Sequence, residues 1–257
     1  MRYWDTLGAL SDGQHLQVLW RAHSDAVNTA WLAPRLPTSP VKRLLKTDLF
    51  DEAFAAGLYP TLSECAQHVV GIDVAESTLR AARARYAQVH GVAADVRRLP
   101  FAAGVFDVVV SNSTLDHFTV AGDIVTALRE LHRVLHAGGQ LLLTIDNLAN
   151  PVVAVRNALP FRFLHALGIV PYQIGASCGP RRLEHAVRQA GFDLLEVGAI
   201  LHCPRLLAVA AARVVERYGS PETRQRFLRG LLRFERLADW RSRFATGYFI
   251  TIVAHKP

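Results

Sequence analysis

Between residues 41 and 200, short apolar runs alternate with amphipathic stretches, and few architectures accept that rhythm. The runs "VKRLLK" (41–46), "HVVGIDV" (68–74), "GVAADV" (91–96), "FDVVVSNS" (106–113) and "QLLLTIDN" (140–147) have the length and β-branched content of buried strands. The stretches between them repeat at helical spacing. "DEAFAAGLY" predicts a helix. Residues 76–89 place Leu79, Ala82, Tyr86 and Val89 on one face, and residues 123–136 do the same with Ile124, Leu128, Leu131 and Leu135. Gly138-Gly139 is expected to stop that last helix. Such alternation predicts an α/β fold, a mostly parallel sheet covered by helices on both faces.

The flanks differ. The first forty residues read as a helical cap (1–40) closed by the three prolines of "APRLPTSP". The α/β domain would then span 41–257. Near its end, a helix over 181–190 capped by Gly191 precedes a strand at 192–200, and "GYFITIVAHK" (247–256) reads as a last strand. These two strands are expected to pair antiparallel, with a helical insertion of about 201–245 between them. That insertion is basic: ten arginines against four acids between Pro204 and Phe244, in a chain of net charge +7. A solvated helix face is the simpler account of this bias. Nucleic acid is not the expected partner, because no aromatic-interleaved RNA-binding motif or zinc-ligand spacing accompanies it.

A hydrophobic content of 51% over 257 residues supplies a full core. The mixed opening "MRYWDTLGALSDGQHLQ" does not read as a signal peptide, and no apolar run reaches the ~20 residues of a membrane span. Three widely spaced cysteines, Cys65, Cys178 and Cys203, suit neither a disulfide framework nor a metal centre. They predict a reducing, cytoplasmic setting and no metal.

In an open doubly wound sheet, ligands bind beyond the carboxyl ends of the strands. The residues at those ends here are Lys46, Thr47 and Asp48; Asp73 and Val74; Asp95 and Val96; Ser111, Asn112 and Ser113; Asp146 and Asn147. Asp73 is placed to accept from ribose hydroxyls or to cap the next helix. Asp95 can take the exocyclic amine of an adenine, with the Val96 amide beside it, or can sit in a surface turn. The stretch "LLKTDLFDEA" (44–53) occupies the place of a nucleotide loop, yet has no glycine and three carboxylates, Asp48, Asp51 and Glu52. Phosphates would be repelled there. A cationic ligand would not, and the acids also suit a helix N-terminus.

The segments "VVGIDVAESTLRAARARY", "GVAADVRRLPFAAGVFDVVVSNSTLDHF", "ALRELHRVLHAGGQLLLTID" and "AVRQAGFDLLEV" together resemble class I S-adenosylmethionine-dependent methyltransferases, of the small-molecule type related to ubiquinone and menaquinone C-methyltransferases. The resemblance implies a Rossmann-like, doubly wound, seven-stranded sheet. It implies S-adenosylmethionine as cofactor, with Asp73 on the ribose, Asp95-Val96 at the adenine and Ser111-Asn112 alongside. The departure is the first loop, where the family's "LDxGCGTG" becomes "LLKTDLFDE". Three glycines turn into Asp48, Phe50 and Glu52, and the usual acid into Lys46. A side-chain pair of Lys46 with Asp48 or Asp51 would fix such a loop. Ala75 replaces the usual serine.

Methyl transfer needs an in-line approach more than acid–base groups, though a base helps with a hydroxyl acceptor. In "STLDHF", His117 is the candidate base and Asp116 its orienting partner; His117 packing over the cofactor fits equally. Asp146, Asn147, Tyr172 and His202 are the substrate-side candidates, with Asn150 and Arg156 near them, and "FRFLHALGIVPY" is a pocket wall or core. The N-terminal helices and the basic insertion would form a lid. The expected partner is a small molecule, and a homodimer is compatible with the chain. Two other functions fit the same pattern: non-methylating chemistry steered by the sulfonium, and a binding module that has kept the fold without catalysis.

Overall fold

A computed structural model describes residues 17–166 and 175–257. Seven strands form one sheet: β1 (Val41–Lys46), β2 (Ala66–Asp73), β3 (His90–Ala93), β4 (Phe106–Asn112), β5 (Leu135–Asp146), β6 (Asp193–Ile200) and β7 (Phe249–His255). Their order is β3-β2-β1-β4-β5-β7-β6. The first five are parallel, and β7 runs antiparallel between β5 and β6. Chain order reverses between β1 and β4, so a ligand crevice is expected above their carboxyl ends.

Adjacent residues of a strand point to opposite faces, and the core divides accordingly. Leu44, Val108, Val110 and Leu142 pack on one side, with α1 (Val18–Leu32), α3 (Tyr59–Cys65) and α4 (Glu76–Arg85). Leu45, Val109, Leu141, Leu143 and Ile145 pack on the other, with α5 (Gly122–Val134) and α8 (Pro180–Gln189). The short α2 (Phe50–Phe54) precedes α3, while α6 (Pro151–Ala158) and α7 (Phe161–Ala166) follow β5.

The insertion between β6 and β7 holds α9 (Arg205–Tyr218), α10 (Pro221–Leu232), a 3-10 turn (Arg233–Asp239) and α11 (Arg243–Thr246). Its Ala208 and Leu231 join the same core as Val27, Trp31 and Leu32 of α1. Thus α1 and the insertion form one helical layer on that face of the sheet. The part of the expected N-terminal cap before residue 17 lies outside the described residues, as do the last residues of "FRFLHALGIVPY".

Two local expectations need correcting. Gly138-Gly139 does not stop a helix. Helix α5 ends at Val134, and both glycines lie inside β5. They form a bulge where the β4 register jumps from Phe106–Leu135 to Val108–Gln140. Gly138 takes φ +78°, and its amide donates to the Lys256 carbonyl. The single helix expected for "DEAFAAGLY" is α2 followed by α3, parted at Gly57 with φ +61°. A Cβ on Gly57 would lie 2.6 Å from Glu52 Oε1, and the left-handed φ favours glycine as well.

Candidate active site

The glycine-free loop is built on buried charge. Lys46 ends β1 with 1% of its side chain exposed; its Nζ lies 2.9 Å from Glu52 Oε2 and donates to the Asp48 carbonyl at 2.8 Å. Asp48 Oδ2 is 3.4 Å away. Burial alone would lower the Lys46 pKa, but the charges of Asp48, Glu52 and Asp51 more than offset it and hold the ammonium above its usual range. Glu52, fully buried, accepts the amides of Leu58 and Tyr59 on Oε1 (2.8 and 3.2 Å). One lysine thus replaces backbone freedom as the organiser of the loop. The expected Lys46–Asp48 pair is present. Asp51 is not Lys46's partner: its Oδ1 takes Arg21 Nη1 of α1 at 3.0 Å, and the buried partner is Glu52.

A second acid from α1, Asp25, accepts the Gly57 amide at 3.2 Å. Asp73, at the end of β2, accepts the Leu49 amide on Oδ2 (3.2 Å) and the Ala75 amide on Oδ1 (2.8 Å). It therefore caps α4 and anchors the loop while keeping a second lone pair on each oxygen. Val74 follows it, half-buried. Around Lys46 and Arg21 stand Asp25, Asp48, Asp51, Glu52 and Asp73, more carboxylates than cations. The excess is visible in the protonation equilibria. Burial and the Asp48 charge raise Asp51 to about 6. Burial, against the Ala75 and Leu49 amides but with Asp48, raises Asp73 to about 6. Burial also raises Asp25 and Glu52.

Hydroxyls link this loop to β4. Thr47 Oγ1 donates to Ser111 Oγ at 3.0 Å and lies 2.7 Å from Thr114 Oγ1, which donates to Asp48 Oδ2 at 3.2 Å. Lys46, Thr47, Asp48 and Ser111 therefore share one network at the switch point, and Asp73 joins the same loop through the Leu49 amide. Asn112 faces the next strand and accepts from Thr144 Oγ1 at 2.8 Å. Asp95 lies apart, gripped by Arg97, whose Nη1 also reaches Asp123 at 2.7 Å and whose guanidinium lies 5.1 Å from the Phe118 ring centre. The Arg97 hydrogen bonds hold the Asp95 carboxyl below its usual range. Val96 is buried beside Leu99 and Leu115.

Beyond β4, Ser113 takes a left-handed φ of 49° and its hydroxyl donates to Asp116 Oδ2 at 2.8 Å. The Asp146 amide donates to the same oxygen at 3.1 Å. Burial and the nearby Asp146 charge raise the Asp116 pKa, and its other oxygen has no hydrogen-bond partner. His117 is half-buried next to it. Asp146 is paired with Arg156, which also donates to Tyr248 Oη and to Asn157 Oδ1.

Two substrate-side expectations are overturned. Asn147 is fully buried, and its amide donates to the carbonyls of Phe244 (2.7 Å) and Gly247 (2.9 Å). His202 is buried with both ring nitrogens engaged, by Thr246 Oγ1 at 2.8 Å and the Ala199 carbonyl at 3.0 Å. Both fasten the insertion to the sheet. Asn150 does likewise and caps α6 through the Val152 amide. Tyr172 lies outside the described residues. The sequence reading missed Arg21, Asp25 and Thr114; only Thr114, next to Ser113, stood near a predicted rim position.

Residues 53–143 match the family described as "Methyltransferase domain", a match that begins immediately after Glu52. The chain is 36% identical over 103 residues to a demethylmenaquinone methyltransferase of Corynebacterium kroppenstedtii, covering 40% of this chain and 42% of that protein. Over residues 53–143 the chain is similar to methyltransferase domains, among them those of S-adenosylmethionine-dependent enzymes. It aligns with less than half the length of the curated relatives it matches. Among solved structures, the [4+2]-cyclase SpnF is 21% identical with a TM-score of 0.58, over 90% of this chain and 80% of that one. Phosphoethanolamine N-methyltransferase 2 of Haemonchus contortus is 18% identical with a TM-score of 0.59, over 90% of this chain and 52% of that one. These likenesses establish the fold.

S-adenosylmethionine is the cofactor of this family, and the donor set fits it. The loop offers surplus carboxylate and no phosphate cradle, which suits a cofactor with cationic centres and no phosphate. Asp73 retains lone pairs for a ribose. Among the described residues, no helix is long and apolar enough to cross a membrane.

Proposed function

We propose that this protein transfers a methyl group from S-adenosylmethionine to a small-molecule acceptor. The observation that carries the reading is the acid-rich loop around Lys46 at the switch point of a methyltransferase-family fold. Bound there, the cofactor supplies a methyl group activated by its sulfonium. Asp73 accepts the ribose hydroxyls, and Asp95 with the Val96 amide faces the adenine. Asp48 and Asp51 neutralise the cationic end, and Lys46 keeps their loop in place. Val74, Ser111 and Asn112 line the same end of the sheet.

The acceptor lies past β4. There Asp146 is neutralised by Arg156, leaving the Asp116 carboxylate and the His117 imidazole as the groups able to take a proton. Asp116, with an unengaged oxygen, is a second candidate to take an acceptor hydroxyl's proton beside His117.

Calorimetric titration with S-adenosylmethionine and S-adenosylhomocysteine tests the cofactor, with Asp73→Asn as the variant. Binding to the wild type that is weakened at least tenfold in the folded variant is expected. No binding to the wild type removes the proposal. Non-methylating chemistry at the same site is the second reading. The observation that favours it is that the methyltransferase-domain match begins only at residue 53, after the loop. Formation of S-adenosylhomocysteine with a turned-over acceptor decides between the two.

A further inference from the structure

The outward face of α9 is apolar where a solvated helix would be polar. Leu207 (71% exposed), Ala211, Val214 (58%) and Tyr218 (75%) fall at i, i+4, i+7 and i+11, one continuous ridge. The adjacent ridge is Leu206, Ala210, Arg213 and Arg217, so the apolar ridge is flanked by cations toward its carboxyl end. The inward face is different in kind: Ala208 and Ala212 are buried, seating the helix close to its neighbours. The helix's single acid is turned inward too, with Glu216 accepting the Leu19 amide of α1 at 2.6 Å. The exposed face therefore carries arginine and hydrocarbon with no carboxylate.

The next elements continue the pattern. Helix α10 exposes Arg226 and Arg229, which with Gly230 and with Arg233 of the following turn line a shallow surface groove. Beyond it Trp240 stands 61% exposed. Arg217 lies 5.3 Å from the centre of the Tyr218 ring, cation and amphipathic ring presented together.

We infer that the α9 face docks on an anionic lipid bilayer surface. Charge decides against a second copy of this chain, since two copies of net charge +7 would press two arginine-bearing, carboxylate-free faces together. The aliphatic ridge decides against nucleic acid, because Leu207, Ala211 and Val214 offer nothing to a phosphate backbone or a stacked base. Both features have a use at a membrane interface. There the ridge enters the acyl boundary, Tyr218 sits at headgroup depth, and the arginines meet lipid phosphates. The inference is independent of methyl transfer.

The test is co-sedimentation of the whole protein with vesicles of phosphatidylcholine alone and of phosphatidylcholine with 30% phosphatidylglycerol, at physiological salt. Binding to the anionic vesicles and not to the neutral ones is expected. Arg213→Gln with Arg217→Gln should weaken it more than tenfold, at roughly fivefold for each charge near the surface. Leu207→Ser with Val214→Ser should weaken it by a similar factor. These side chains point to solvent, so the melting temperature should stay that of the wild type. No binding to anionic vesicles overturns the inference, as does binding that survives the Leu207–Val214 change. Binding to a single-stranded RNA without vesicle binding overturns it in favour of nucleic acid. A dimer abolished by the Leu207–Val214 change, without vesicle binding, overturns it in favour of self-association.

Discussion

Cofactor affinity should rise steeply between pH 5 and pH 7.5. Asp51 and Asp73 both titrate near 6 in the protein without ligand, because burial and the Asp48 charge favour their protonated forms. A cationic cofactor stabilises the ionised forms and so competes with those protons. At pH 5 a group of pKa about 6 is only about one-tenth ionised, so each such group costs about tenfold in affinity, or about 1.4 kcal/mol. Both groups feel Asp48, so their titrations are linked, and the combined loss lies between about tenfold and about a hundredfold. Calorimetry at pH 5, 6 and 7.5, in two buffers of different ionisation enthalpy, would read both the affinity and the protons released. Release should approach one or two protons near pH 5 and vanish at pH 7.5. Asp51→Asn should remove roughly half of the pH dependence on a logarithmic scale. The sign for folding is opposite. An acid whose pKa is raised in the folded state contributes stability that is present below its unfolded pKa near 4 and is lost as pH rises through 6. Asp51→Asn should therefore stabilise the ligand-free protein more at pH 7.5 than at pH 4. Affinity that is flat from pH 5 to 7.5, with no proton release, would refute the reasoning.

Three further outcomes are expected. Lys46→Met should cost about 3–5 kcal/mol in urea unfolding by stranding the buried Glu52, and Lys46→Met with Glu52→Gln should recover much of it; equal losses in the two proteins would contradict the pairing. Gly57→Ala should cost about 1–3 kcal/mol, from its positive φ and the approach of a Cβ to Glu52, while a neutral result would mean that the turn relaxes freely. Burial lowers His23 to about 4, so it contributes stability above 6.5 that is lost as pH falls toward 4; the melting temperature of His23→Phe relative to wild type should rise over that window, and a constant difference would show that His23 does not titrate on unfolding.

The sheet was legible because its strands are continuous apolar runs, a pattern that buried parallel strands demand and few other elements tolerate. Gly138-Gly139 misled because a glycine pair serves a helix end and a strand bulge equally well; β7, more than a hundred residues later, decides between them. The rim positions were legible from strand ends, but their roles were not. Asn147 and Asp146 are neighbours in sequence, yet one holds the insertion through Phe244 and Gly247 while the other meets Arg156. His202 looked like a binding residue because nothing local revealed Thr246. Arg21 and Asp25 were hidden for a similar reason, since they lie on a helix that reads as a lid yet supply charge to the loop.

That last arrangement bears on how the molecule is made. Helix α1 leaves the ribosome before β1, carrying Trp20, Val27, Trp31 and Leu32 for a core it shares with Ala208 and Leu231. Its contact with Glu216 joins residues 197 apart. During synthesis α1 must wait, its apolar side uncovered, while the sheet is laid down. Arg21 and Asp25 can settle on the loop only once α9 and α10 hold α1 in place. The cofactor site is thus among the last parts of the protein to be completed, although nearly all of its residues are translated early.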